Sequence, residues 1–116
     1  MNKLVTTLVL WFALGNPLFA ASTGDEIEHL LNFVAASGCT FERNGNDYDS
    51  VEAREHIQRK YNHIKDKIKT TEDFIRYAAS ESSMSGKKYH ATCNGQTITS
   101  GDWLTKELDR YRQQSS

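Results

Sequence analysis

Cys39-Thr40-Phe41-Glu42-Arg43-Asn44-Gly45 and, fifty positions on, Tyr89-His90-Ala91-Thr92-Cys93-Asn94-Gly95-Gln96-Thr97-Ile98-Thr99 decide how this chain folds. Each short run breaks at Asn-Gly, the dipeptide that most readily supplies the two positive-φ residues of a tight hairpin turn. Two β-hairpins are therefore expected. The second is rich in β-branched residues, whereas the return run of the first, through Tyr48, is polar.

A helix signal stands on each side of each hairpin. Asp49 followed by Glu52 has the pattern of a capped helix start, with Ser50 as an alternative cap, and Ala53, Ile57, Tyr61, Ile64 and Ile68 then recur at three and four residues. Ser100 can cap a last helix that turns Trp103, Leu104, Leu108 and Tyr111 inward. Ahead of the first hairpin, Thr23 or Asp25 opens a segment with Ile27, Leu30, Leu31 and Val34 on one face, ended by Ser37-Gly38. Ahead of the second, Thr70 or Thr71 starts a short helix carrying Phe74, Ile75, Ala78 and Ala79. The order is helix, hairpin, helix, twice over. It predicts a small single domain of α+β class with helices packed on a small antiparallel sheet. Asn44-Gly45, Ser50 and Tyr61 stand fifty positions before Asn94-Gly95, Ser100 and Tyr111. A duplication explains the match, and convergence on common turn chemistry explains it at least as well.

The first twenty residues carry a different message. Lys3 supplies a positive charge, Leu4 to Leu14 is apolar apart from Thr6 and Thr7, and Asn16-Pro17 breaks the run before Ala20-Ala21. This is the layout of a secretory signal peptide, and the run is too short to span a bilayer, which needs about 20 apolar residues. Cleavage is expected after Ala20, with Ala21 or Ser22 as alternatives. Residues 1–20 then form the signal peptide and 21–116 a single domain in the periplasm, with no membrane insertion after cleavage. The whole chain has 14 basic and 15 acidic side chains, a near balance that gives no electrostatic case for nucleic acid. Two cysteines in an exported chain favour a bridge, Cys39 to Cys93. They enclose residues 40–92, and closing a loop of that length is worth about 4 kcal/mol in the chain-entropy treatment. Such a bridge fastens one half of the layout to the other and is expected to steady the loop ahead of Cys93.

No pattern reaches the specificity of an active-site signature. His56 and His63 are seven apart, about 10 Å along a helix axis and too far to share one ion, and Glu52 with His56 lacks the second histidine of a zinc helix. Neither a metal site nor a cofactor is expected. Lys65, Lys67 and Lys69 complement the negative end of their helix. The serine-rich stretch is the better candidate for a contact surface: Ser82, Ser83, Ser85, Gly86, Lys88, Tyr89 and His90 crowd one loop. A nucleophile there, Ser83 or Ser85 with His90 as base, would make an envelope hydrolase, but neither a nucleophile elbow nor a helical Ser-x-x-Lys surrounds it. A binding loop without catalytic residues is the expectation. A structural or immunity-type protein would instead present an exposed apolar patch.

Phe41-Glu42-Arg43-Asn44-Gly45, Glu52-Ala53-x-x-His56, Thr71-Glu72-Asp73-Phe74-Ile75, Ser82-Ser83-Met84-Ser85-Gly86 and Tyr89 together resemble a YfeK-like family of small exported bacterial proteins of unknown function. That resemblance implies one compact periplasmic domain and transfers no ligand or catalytic residue. Ser85-Gly86-Lys87-Lys88-Tyr89 is also similar to the Ser-Gly-x-x-Tyr motif of periplasmic lysozyme inhibitors, whose loop enters the enzyme cleft. Those inhibitors are β-rich, so only the loop is comparable. The likeness implies a periplasmic or extracellular protein partner, with a lysozyme as the concrete instance, whose paired carboxylates a hydroxyl and a lysine would meet.

Overall fold

The computed structural model describes residues 21–115, so the leader read in residues 1–20 lies outside the described residues. The first helix, α1, spans Thr23–Ala36. Its cap is Ser22, one residue before the expected Thr23, because Asp25 then stands at the third helical position and returns a bond to the Ser22 N–H. Ile27, Leu30, Leu31 and Val34 are buried along one face, and Gly38, at φ 68°, turns the chain out of the helix where a side chain would be strained.

Strands β1 (Thr40–Arg43) and β2 (Asn46–Tyr48) form the first hairpin, and β3 (His90–Cys93) and β4 (Gln96–Thr99) the second. Both Asn-Gly turns have positive φ at both residues, 49° and 85° in the first and 52° and 79° in the second. The hairpins join side by side through β1 and β3, giving one antiparallel sheet of order β2-β1-β3-β4. Thr40 pairs with Thr92, Phe41 with Ala91 and Glu42 with His90. Cys39 and Cys93 continue this register and form the expected disulfide, with 4.6 Å between their Cα atoms. Period-two alternation puts Phe41 and Ala91 on the buried face, beneath the helices. The far face carries polar pairs such as Thr92 and Thr97, whose hydroxyls are 2.8 Å apart.

Helix α2 runs Ser50–Ile64 and is capped by Asp49 with Glu52 in the reciprocal role, as its spacing predicts. Ser50 is not the cap. Its hydroxyl donates to the Ala35 carbonyl at 3.0 Å and ties α2 to the end of α1. The chain leaves α2 after Ile64 through a single 3₁₀ turn, Lys65–Lys67, so Ile68 packs against the core from outside the helix. Helix α3 begins at Thr71, capped by Thr70 and Asp73, and widens after Phe74 into a π-helical turn over Ile75–Ala79. Helix α4 covers Ser100–Ser115. Thr99, not Ser100, caps it, accepting from the Asp102 N–H. Fold, disulfide and the caps of α2 and α3 agree with the sequence reading; the caps of α1 and α4 and the π turn differ from it.

Phe74, Leu30, Leu31, Leu104, Leu108 and Val34 are the largest fully buried apolar side chains. One charged cluster borders them. Arg112 on α4 holds Glu26 of α1 at 2.8 Å and Glu72 of α3 at 2.6 Å, and the Thr71 hydroxyl donates to Glu26 at 2.5 Å. The Arg112 bonds hold both carboxyls below their ordinary pKa, against the burial that raises it. Among the described residues no helix is long and apolar enough to cross a membrane.

Replacing Cys39 and Cys93 together by serine should lower unfolding stability by about 4 kcal/mol in urea melts. An unchanged midpoint would contradict the bridge. Lowered carboxyl pKa values add stability above the unfolded value of about 4.3 and lose it as pH falls through the folded values. Stability should therefore drop on acidification below about pH 4. Arg112→Gln should cost about 2 kcal/mol at neutral pH and shrink that acid dependence; an acid limb identical to that of the unaltered protein would contradict it.

Candidate functional site

Strand alternation places Arg43 on the same face as Phe41, pointing a guanidinium toward the helices at the turn end of β1. Its surroundings hold it without a carboxylate. The carbon of the guanidinium lies 5.6 Å from the Tyr48 ring centre and 5.5 Å from that of Tyr89, a double cation–π contact. Nη1 donates to His56 Nδ1 at 2.9 Å, while Nε is buried with no hydrogen-bond partner.

Around Arg43 lies a cavity of about 60 Å³, walled by Phe41, Ala53, Ile57, Ala78 and Ala79 and edged by His56, Lys60, Tyr89 and Ser100. Lys60 sits 5.3 Å over the Tyr89 ring and donates to the Glu81 carbonyl at 2.6 Å. Ser100 is 3% exposed and its hydroxyl has no partner. Arg43 and Lys60 bring two cations, and no acidic side chain lines the space. Burial, and then the charges of Arg43 and Arg59, push the His56 imidazole below its ordinary pKa, so it is held neutral. The π turn of α3 presents Ala78 and Ala79 to the cavity. The start of α4 presses on the end of that turn: a β-carbon at Gly101 would lie 2.6 Å from Ser80 Oγ.

The serine-rich loop borders this cavity, and its side chains are mostly engaged with its own backbone. Ser82 is buried, and its hydroxyl accepts from the N–H groups of Met84 and Ser85, both at 3.2 Å. Backbone bonds from Ser82 N to Lys87 O and from Gly86 N to Ser82 O close the turn. A bridge between Glu81 and Lys88 makes it a miniature hairpin. Ser85 donates to Asn44 Oδ1 at 2.8 Å, pinning the loop to the first Asn-Gly turn. Tyr89 is 6% exposed and belongs to the cavity wall. His90 donates from Nδ1 to Glu42 at 3.2 Å, across the β1–β3 pair. Glu42 is held below the usual carboxyl pKa by the Gly45 N–H first and His90 second. The exposed members are Ser83, Met84, Ser85, Gly86, Lys87 and Lys88, with Met84 95% exposed. The disulfide is at the far end of β3 from this loop, so Asn44 and Lys60 anchor the loop and the bridge does not.

Arg43, His56, Lys60 and Ser100 stood outside the sequence-derived site. The signal was present: Arg43 is in phase with Phe41, and His56 and Lys60 are one turn apart beside the buried stripe of Ala53 and Ile57.

Residues 21–112 match the model of a family of unknown function, DUF5329. The chain belongs to that family. It is also 36% identical over 93 residues to the uncharacterized protein YfeK of Salmonella typhimurium, covering 77% of either chain. The resemblance read from the motifs therefore holds along most of the domain. No solved structure matches. Neither name carries an activity.

In an NMR titration the His56 imidazole should protonate below its ordinary value of about 6.5, and Arg43→Gln should raise that value. Titration of His56 at or above 6.5 in the unaltered protein would contradict the buried arginine contact.

Proposed function

We propose that the protein is an exported, periplasmic, non-enzymatic binding protein that engages a protein partner through the loop from Ser82 to His90. The observation that carries this reading is Met84, 95% exposed at the tip of a turn braced by the Ser82 hydroxyl and by Asn44. A flexible apolar side chain on an already ordered protrusion suits insertion into a partner's pocket, because little conformational entropy remains to be lost. Lys87 and Lys88 flank it and favour an acidic rim on that partner. Export is supported by the disulfide, a bond that persists in oxidising compartments, and by the leader pattern in the sequence.

A hydrolase would need Ser83 or Ser85 beside His90, and the Ser85 hydroxyl and His90 ring are instead engaged with Asn44 and Glu42. A lysozyme, with its acidic cleft, fits the required partner chemistry. With Tyr89 inside the domain, contact there would fall to Ser83, Met84, Ser85 and the two lysines.

With a photo-cross-linking residue at position 84, the exported protein should form one dominant adduct, lost on Lys87→Glu with Lys88→Glu. The same residue at position 96, at the far end of the sheet, should not form it. Micromolar excess of the protein should inhibit a C-type or G-type lysozyme if that enzyme is the partner. Diffuse labelling that ignores both position and charge would overturn the loop-docking reading.

A further inference from the structure

The cavity beside Arg43 has chemistry that the docking loop does not use. Among the described residues the buried side-chain polar atoms with no hydrogen-bond partner are Arg43 Nε and Ser100 Oγ, and both residues line this one cavity. An unpaired buried donor is costly, so finding two such atoms in one place is an argument for a missing partner. Ser50 holds the position of Ser100 in the first half, at the start of α2, and its hydroxyl is satisfied by the Ala35 carbonyl. Ser100 begins α4, a helix of 16 residues, so the positive end of a long helix lies at the same edge of the cavity.

Charge decides the class of ligand. Arg43 and Lys60 are cationic, His56 is held neutral, and no carboxylate lines the space. Neither Arg43 nor Lys60 has an ion-pair partner among the described residues. Size narrows it further. About 60 Å³ is room for roughly four waters, so the part of a ligand inside the cavity is a head group of a few heavy atoms, and neither a sugar ring nor a nucleotide fits wholly within it. The apolar walls of Phe41, Ala78 and Ala79 favour a carbon stem over a fully hydrated inorganic ion. With Nη1 occupied by His56, the Nε–Nη2 edge of Arg43 is the one left to meet two carboxylate oxygens in parallel.

We propose that the Arg43 cavity is a binding site for a carboxylate on a short aliphatic stem, held by Arg43 and Ser100 with Lys60 at the rim. The proposal stands independently of the loop's partner. Such a ligand occurs as a free short-chain acid or as the C-terminal end of a peptide. In the first case the stem lies wholly inside, and in the second the chain leaves past Lys60.

The test is titration of the labelled domain, disulfide intact, with sodium propionate and with acetyl-Ala-Ala, followed by NMR shifts of Arg43 Hε and the His56 ring, with sodium chloride at matched ionic strength. Saturable shifts are expected with a dissociation constant of roughly millimolar order, as befits so small a ligand. Tighter binding of propionate points to the free acid, and tighter binding of acetyl-Ala-Ala to a peptide end. Arg43→Lys keeps the charge and removes the paired donors, and should weaken binding at least about tenfold. Ser100→Ala should weaken it by a smaller factor and leave the fold intact, since it removes an unpaired hydroxyl. Equal shifts with chloride, saturation by phosphate and not by either carboxylate, or undiminished binding to Arg43→Lys would each overturn the proposal.

Discussion

The antiparallel pairing of β1 with β3 is the constraint on which everything else in the domain depends. Each Asn-Gly hairpin has only two short strands, a unit that is marginal in water by itself. Side by side they form a four-stranded sheet with one continuous apolar face for the helices. That pairing joins segments fifty residues apart, and its entropic cost is what the Cys39–Cys93 bridge reduces by constraining the unfolded chain.

The register of that pair relates the two halves of the domain. Phe41 faces Ala91, the residue at its own position fifty places later, and the flanking pairs Thr40–Thr92 and Glu42–His90 exchange under the same shift. The sheet thus has a local two-fold relation about Phe41 and Ala91. Under it the disulfide maps onto Arg43 and Tyr89, so one end of the inner face is closed by a covalent bond and the other by a cation–π contact. The symmetry breaks at the serine that starts each following helix: Ser50 is satisfied by α1, and its counterpart Ser100 opens on the cavity under the π turn. Such π turns often mark functional positions in other helices.

The hairpins, the α2 cap at Asp49 and Glu52, the buried faces of all four helices and the disulfide were legible because each follows from local chemistry: turn residues, capping spacing, period and cysteine parity. The caps of α1 and α4 fell one residue away from expectation, since Ser22 and Thr99 compete with equally good neighbours and only geometry separates them. The π turn left no mark in the periodicity of Phe74, Ile75, Ala78 and Ala79. The cavity was harder still. It takes Arg43 from β1, Lys60 from α2, Ala79 from α3 and Ser100 from α4, and no run of sequence brings these together. Tyr89 was read with its loop neighbours by adjacency, while strand alternation sends it inward.

Interstrand proton contacts across β1 and β3 test this architecture most directly. The 4.6 Å spacing at Cys39 and Cys93 marks a narrow pair, and in an antiparallel ladder every second pair is narrow. Nuclear Overhauser spectra should therefore give strong Hα–Hα contacts for Phe41 with Ala91 and for Arg43 with Tyr89. Hα–Hα contacts displaced by one or two residues would contradict the register, and with it the cavity that the register builds.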